Sequence, residues 1–173
     1  MNRRALLKAA GLGAAALVLG GHTPYRQWVV YRKKHLLIGC HRQDPRTYEL
    51  AQDAVAVLDE HLPAASARVA RAPHAGRLAS LLGTEQLDVA VLAADQAAAM
   101  RVGSGAFEPY GPISLNLLSP LRDRLLIARS DFPARHAWLV AEALMETTRA
   151  GDASIPLHPG ARAFLRGDPV PAG

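Results

Sequence analysis

Three short apolar runs, each bounded by turn residues, constrain this chain more than any other feature. They are His35-Leu36-Leu37-Ile38-Gly39-Cys40, Leu87-Asp88-Val89-Ala90-Val91-Leu92 and Arg124-Leu125-Leu126-Ile127-Ala128-Arg129. Short, nearly continuous apolar stretches suit strands buried on both faces, as in a parallel sheet covered by helices. Helical patterns fill the gaps. Asp44-Pro45-Arg46-Thr47 supplies turn residues and an N-cap, and a helix is expected from about Tyr48 to His61. Along it Leu50, Ala51, Ala54, Val55, Leu58 and Leu62 share one side, with Gln52, Asp53, Asp59 and Glu60 mostly opposite. Pro63 closes that helix. Ala67 to Ala72 alternates like a strand, Pro73-His74-Ala75-Gly76 is a loop, and Arg77 to Leu82 forms a short helix. A helix from Ala93 to Met100 follows the Leu87–Leu92 run and breaks at Val102-Gly103-Ser104-Gly105.

The second half is less regular. Ile113 to Leu118 reads as a strand, linked through Ser119-Pro120-Leu121-Arg122-Asp123 to the strand at Arg124. A helix is expected from Ala134 to about Thr148, with Trp138, Ala141, Leu144 and Met145 on its apolar side. A short one runs from Gly160 to Leu165. Strands alternating with helices imply the α/β class: a three-layer α/β/α arrangement around a mostly parallel sheet.

Composition narrows the function classes. The 173 residues are half hydrophobic and one fifth charged, which suits one domain and excludes a disordered chain. The single cysteine, Cys40, excludes an internal disulfide and a cysteine-based zinc cluster. A pI near 9.9 suggests nucleic acid until the charges are placed. Seven of the 20 Lys and Arg (Arg3, Arg4, Lys8, Arg26, Arg32, Lys33, Lys34) precede Leu36, where no acid occurs. From Leu36 onward 13 basic residues face 15 acidic ones, a net −2, which argues against a nucleic-acid surface.

Residues 1–21 read as an export signal. Asn2-Arg3-Arg4-Ala5-Leu6-Leu7-Lys8 forms a positive start, and Ala9 to Gly20 is a mild apolar stretch of twelve residues. The adjacent Arg3 and Arg4 resemble the twin-arginine signal of bacteria, which implies the twin-arginine (Tat) translocase as a partner and a periplasmic location. The stretch falls short of the roughly 20 residues that span a bilayer. Val18-Leu19-Gly20 is the nearest cleavage option, so both a cleaved signal and a retained anchor stay open. Residues 22–34, HTPYRQWVVYRKK, form a linker into the first strand. Tyr25, Trp28 and Tyr31 beside Arg32-Lys33-Lys34 also suit a membrane interface.

In open α/β sheets, ligands sit beyond the carboxyl ends of the parallel strands. That rim is expected to carry His41, Arg42, Gln43, Arg46 and Thr47 after the first strand. His74 and Gly76 follow the second, and Asp95 and Gln96 the third. Arg42 and Arg46, near a helix N-terminus at Thr47, point to a small organic anion. Cys40 and His41 are strand neighbours, so their side chains face opposite ways and no thiolate–imidazole pair is expected. The spacing of His35, His41, His74 and His158 fits no metal motif. His158 before Pro159 braces the start of the last helix or touches ligand. No Ser-His-Asp arrangement, paired carboxylates, P-loop or dinucleotide fingerprint is present, so neither catalysis nor a cofactor is expected.

Three segments carry a family resemblance. HLLIGCHRQDPRTYELAQDAVAVL, GRLASLLGTEQLDVAVLAADQAAAMRVGSG and IPLHPGARAFLRG occur in that order. They resemble the solute receptors of TRAP transporters of the TAXI type, which have the type II periplasmic-binding-protein fold. Leu157-His158-Pro159-Gly160-Ala161-Arg162 is the most specific piece, and Arg129-Ser130-Asp131-Phe132-Pro133 resembles the segment before it. The family has two lobes that close on a solute. Here only about 20 residues separate Gly103-Ser104-Gly105 from Arg124, where the family places its second lobe. Ala72-Pro73-His74-Ala75-Gly76 also departs from the family, which has a small-residue loop with hydroxyls there. The resemblance thus implies a single lobe over residues 35–166 and a Pro/Gly tail over 167–173. Two functions follow from it. One is a non-catalytic accessory docking on a membrane or periplasmic complex. The other is a reduced receptor that captures a small organic anion for a TRAP permease or for sensing.

Overall fold

Each apolar run becomes a strand. The computed structural model describes residues 35–144 and 155–172, all within one unit spanning residues 34–173. The export signal expected over residues 1–21 and the linker over 22–34 lie outside the described residues, as do residues 145–148 of the helix expected from Ala134 to about Thr148. Five strands, β1 (Leu37–His41), β2 (Arg68–Ala72), β3 (Val89–Leu92), β4 (Leu115–Leu121) and β5 (Arg124–Arg129), form one sheet in the order β2-β1-β3-β5-β4. β1 pairs in parallel with β2 and β3, and β5 runs antiparallel to both β3 and β4. Four strands therefore point one way and β5 alone runs against them.

Helices cover both faces. α1 (Pro45–His61) and α4 (Ala134–Ala143) lie on one side; α2 (Ala75–Gly83), α3 (Ala94–Val102) and a 3-10 segment, Gly105–Tyr110, lie on the other. The sheet's alternation separates two cores. Ile38, Cys40, Val89, Val91, Leu126 and Ala128 meet Leu50, Ala54 and Leu58 of α1 and Val140 of α4. Leu37, Ala90, Leu92, Leu125 and Ile127 meet Leu78 and Leu82 of α2, Met100 of α3 and Phe107. Each fully buried Leu or Ile contributes about 1.5–3 kcal/mol. The α/β class and three-layer arrangement follow directly from these two cores.

Three departures from the sequence reading have local causes. α1 begins at Pro45 rather than near Tyr48, because Asp44 caps it and proline suits the first helical position. Ser119-Pro120-Leu121, expected as a link, belongs to β4. The pairing of β4 with β5 shifts between Leu117 and Ser119, so Leu115 and Leu117 face one core while Leu118 and Leu121 face the other. The turn between the two strands is only Arg122-Asp123, with Arg122 at φ 53°. The tail is also more than a Pro/Gly extension. After α5 (Pro159–Leu165), the Trp138 indole N–H donates to the Asp168 carbonyl at 3.0 Å, and Arg135 donates to the Pro171 carbonyl at 3.4 Å.

Gly103 ends α3 in a left-handed conformation (φ 68°), and a Cβ there would lie 2.6 Å from the Pro112 nitrogen. Only glycine fits this turn. Among the described residues no helix is long and apolar enough to cross a membrane.

Candidate functional site

The carboxyl ends of β1, β2 and β3 deliver three loops, each leading into a helix, to one rim of the sheet. The turn between β4 and β5 reaches the same rim, because β4 runs in the direction of the other three. This turn engages the first loop closely. Arg124 donates to both Asp44 oxygens, at 2.9 and 3.4 Å, in a pair largely withdrawn from solvent. Arg46 donates to Asp123 at 3.1 Å and to Glu49 at 2.9 Å. The bond from Arg46, reinforced by Arg124, holds the Asp123 carboxyl below the usual carboxylate range.

The loop after β1 is built around Thr47, which is wholly buried. Its hydroxyl donates to the Asp44 carbonyl at 2.7 Å, and the main chain of His41 lies 3.4 Å away on both its N–H and its carbonyl side. Asp44 in turn accepts the Arg46 N–H at 3.1 Å and caps α1. Thr47 and Arg46, read from sequence as ligand contacts, are thus engaged within the protein. Thr47 has no accessible surface, and Arg46 already lies between two carboxylates. Arg42 is exposed, with its main-chain N–H bonded to the Ala72 carbonyl at 3.0 Å.

His41 and Gln96, 55 positions apart in sequence, do come together: the imidazole Nε2 donates to Gln96 Oε1 at 3.2 Å. His41 is 1 % exposed, and among the described residues its Nδ1 has no hydrogen-bond partner. Cys40 projects into the other core, away from His41. Burial, only partly offset by Arg71, pushes its thiol up to about 11, so it stays protonated at neutral pH.

His74 caps α2, its Nδ1 accepting the Arg77 N–H at 3.1 Å, so the ring proton sits on the other nitrogen. A Cβ on Gly76 would lie 2.7 Å from the Tyr110 hydroxyl and 3.3 Å from His74 Nδ1. Tyr110, 39 % exposed, is therefore a rim residue that the sequence reading missed. Its only sequence signal was an aromatic side chain close to a Gly-Pro break. α3 begins at Ala94 after Ala93 with no side-chain cap, and Asp95 in its first turn is exposed. Beside the rim, the Arg71 guanidinium lies over the Tyr48 ring at 4.2 Å.

Arg42, His74, Tyr110 and Asp95 are the exposed residues of this rim, while Thr47, Arg46 and Asp44 are bonded within the protein. Among the described residues no group of three or more His, Cys, Asp and Glu is placed to hold a metal ion. No protein-family model matches the chain, and no curated protein matches it either.

Proposed function

We propose that this chain is an exported, non-catalytic accessory protein built on one lobe of the type II periplasmic-binding-protein kind, related to TAXI receptors. It acts by presenting its strand-end rim to a partner protein in a membrane or periplasmic complex. The observation that carries this reading is the two-residue turn Arg122-Asp123 between β4 and β5. β5 enters the sheet out of sequence, between β3 and β4, as a strand does when the chain returns from an excursion. Here the excursion is a turn, and its Asp123 and Arg124 bond back to Arg46 and Asp44. Nothing in residues 103–124 can form a second closing lobe.

A rim with one side open keeps a bound solute wet. Each exposed ionic contact then supplies about 1 kcal/mol or less. Immobilising a ligand costs several kcal/mol, which Arg42 alone does not offset. A protein partner gains from area as well as charge, and the exposed rim residues include both signs of charge and an aromatic side chain: Arg42, Asp95, His74 and Tyr110.

Three measurements test the reading. Thermal-shift titration of the purified protein with dicarboxylates, amino acids and other small organic acids is expected to give no shift below millimolar ligand. A shift of several degrees with one compound would replace the accessory reading with the reduced receptor. A photo-crosslinking residue at His74 is expected to form one discrete adduct with an exported or membrane protein in cells, and absence of any adduct would reject docking through this rim. Export itself is tested at the signal: Arg3→Lys with Arg4→Lys is expected to hold the protein in the cytoplasm, and normal periplasmic recovery would refute the twin-arginine route.

A further inference from the structure

His158 joins the C-terminal segment to the sheet. Its main-chain N–H donates to the Leu117 carbonyl at 2.8 Å, and the Leu117 N–H donates to the Pro156 carbonyl at 2.8 Å. Residues 155–158 thereby continue the sheet for one step beyond β4, with Leu157 in parallel register with Leu117. The His158 ring then caps α5: its Nδ1 accepts the Gly160 N–H at 3.2 Å, which fixes the ring proton on Nε2. The ring is 1 % exposed and stands edge-on to Phe132 at 6.1 Å; among the described residues no group makes a well-formed hydrogen bond to Nε2, although the Phe132 backbone favours its protonated form.

The cap at Gly160 requires an unprotonated Nδ1. A proton on Nδ1 would place two donors face to face at Gly160 and remove the cap. Among the described residues no counter-ion stands beside the charge that would then be buried. β4 carries no acidic or basic residue, and α5 contributes Arg162, a cation whose guanidinium donates to the Leu157 carbonyl at 3.3 Å. From α4 the titratable groups are Arg135, His136 and Glu142. Arg135 is engaged with Pro171, and exposed His136 lies behind Phe132, with ring centroids 5.9 Å apart. In the loop before α4, Asp131 is paired with Arg129. Among the described residues no carboxylate hydrogen-bonds to the His158 ring.

We propose that His158 is an acid-operated clasp: when its ring takes a proton, residues 155–172 come away from β4 and α4. The release ends the two backbone bonds to Leu117 and uncovers the outer edge of β4. It also frees the Trp138 indole, which meets the Phe164 ring edge-to-face and donates to the Asp168 carbonyl. Burial, opposed by the Phe132 backbone, lowers the His158 pKa and so delays this opening into the acid range.

Hydrogen exchange of the full chain, followed by mass spectrometry from pH 7.5 to 4.5, tests the clasp. After correction for intrinsic exchange, one-proton linkage predicts that opening of peptides within 155–172 rises about tenfold per pH unit below about 6.5. The rise stops at the closed-state pKa, while peptides of β1 and β3 stay protected. His158→Asn keeps a capping oxygen but has no titrating ring, and is expected to abolish the pH dependence in that segment. Should that variant not fold, carbon-13 NMR of imidazole-labelled wild-type protein supplies the comparison. The His158 titration is then expected to end where the rise in exchange ends. Exchange that ignores pH, persists unchanged in the Asn variant, or stays flat while His158 titrates would overturn the proposal.

Discussion

Thr47 shows how one side chain can shape a rim without belonging to its accessible surface. Its hydroxyl bonds the carbonyl of the residue that caps α1, so it sets the path of the chain between His41 and the helix. Thr47→Val keeps the shape and removes the hydroxyl. Urea denaturation is expected to show a loss of about 1 kcal/mol, with Thr47→Ser closer to wild type. Equal losses in both variants would assign the role to the methyl group instead. From sequence, Thr47 and Arg46 both pointed at a ligand, because a polar loop at a helix start has the same composition whether it binds outward or inward. For Thr47 the inward partners are local, Asp44 and His41, but for Arg46 the difference lay 77 residues away, in the Asp123 carboxylate. No local pattern contained that contact. His41 and Gln96 were named on the same rim, because both follow a strand whose position the apolar runs predict.

At the scale of elements, periodicity predicted the strands and helices of the first half well, since each is a buried run or an amphipathic stretch with its own boundary signals. β4 was the exception: its bulge flips the inward positions midway and disguises Ser119-Pro120-Leu121 as a link. The order of strands was not legible at all, because nothing in β5 itself announces that it lies between β3 and β4. The packing of α5 on α4 was hidden for a similar reason. Gly160 looked like ordinary helix-start punctuation, yet a Cβ there would lie 2.0 Å from the Ala134 carbonyl oxygen and 2.9 Å from the Ala137 Cβ. Backbone blocks it, so the two helices must separate to admit even a methyl group. Gly160→Ala is expected to cost about 1–3 kcal/mol, read as a lower melting temperature. Gly76→Ala meets only side-chain atoms, of Tyr110 and His74, and is expected to cost less in the same assay.

Across the whole molecule, acid acts in two stages. Burial lowers the His158 pKa, so an unfolded chain takes up that proton more readily than the folded one. Its contribution to stability is complete above about pH 6.5 and declines as the pH falls through the range below it. Asp123 and Asp131 are lowered too, chiefly by hydrogen bonds from Arg46 and Arg129 respectively. Their contributions hold above the ordinary carboxylate range near 3.9 and disappear only below it. Urea titrations at pH 7.5, 5.5 and 3.5 are expected to show a first loss between the upper two values. In His158→Asn that first loss is expected to shrink, and the loss at pH 3.5 to remain.

The place of β5 in the sheet also decides the order in which the protein can be assembled. As the chain emerges from the ribosome, β1, β2 and β3 can associate as soon as they are made. Their sheet then ends at β3, whose four residues are all buried in the finished protein. β4 appears next but has no place to pair, because its neighbour has not yet been synthesised. The half-built sheet must hold a bare apolar edge until Arg129 is available and the hairpin docks as a unit. Synthesis runs from one end to the other; the native sheet closes from the middle.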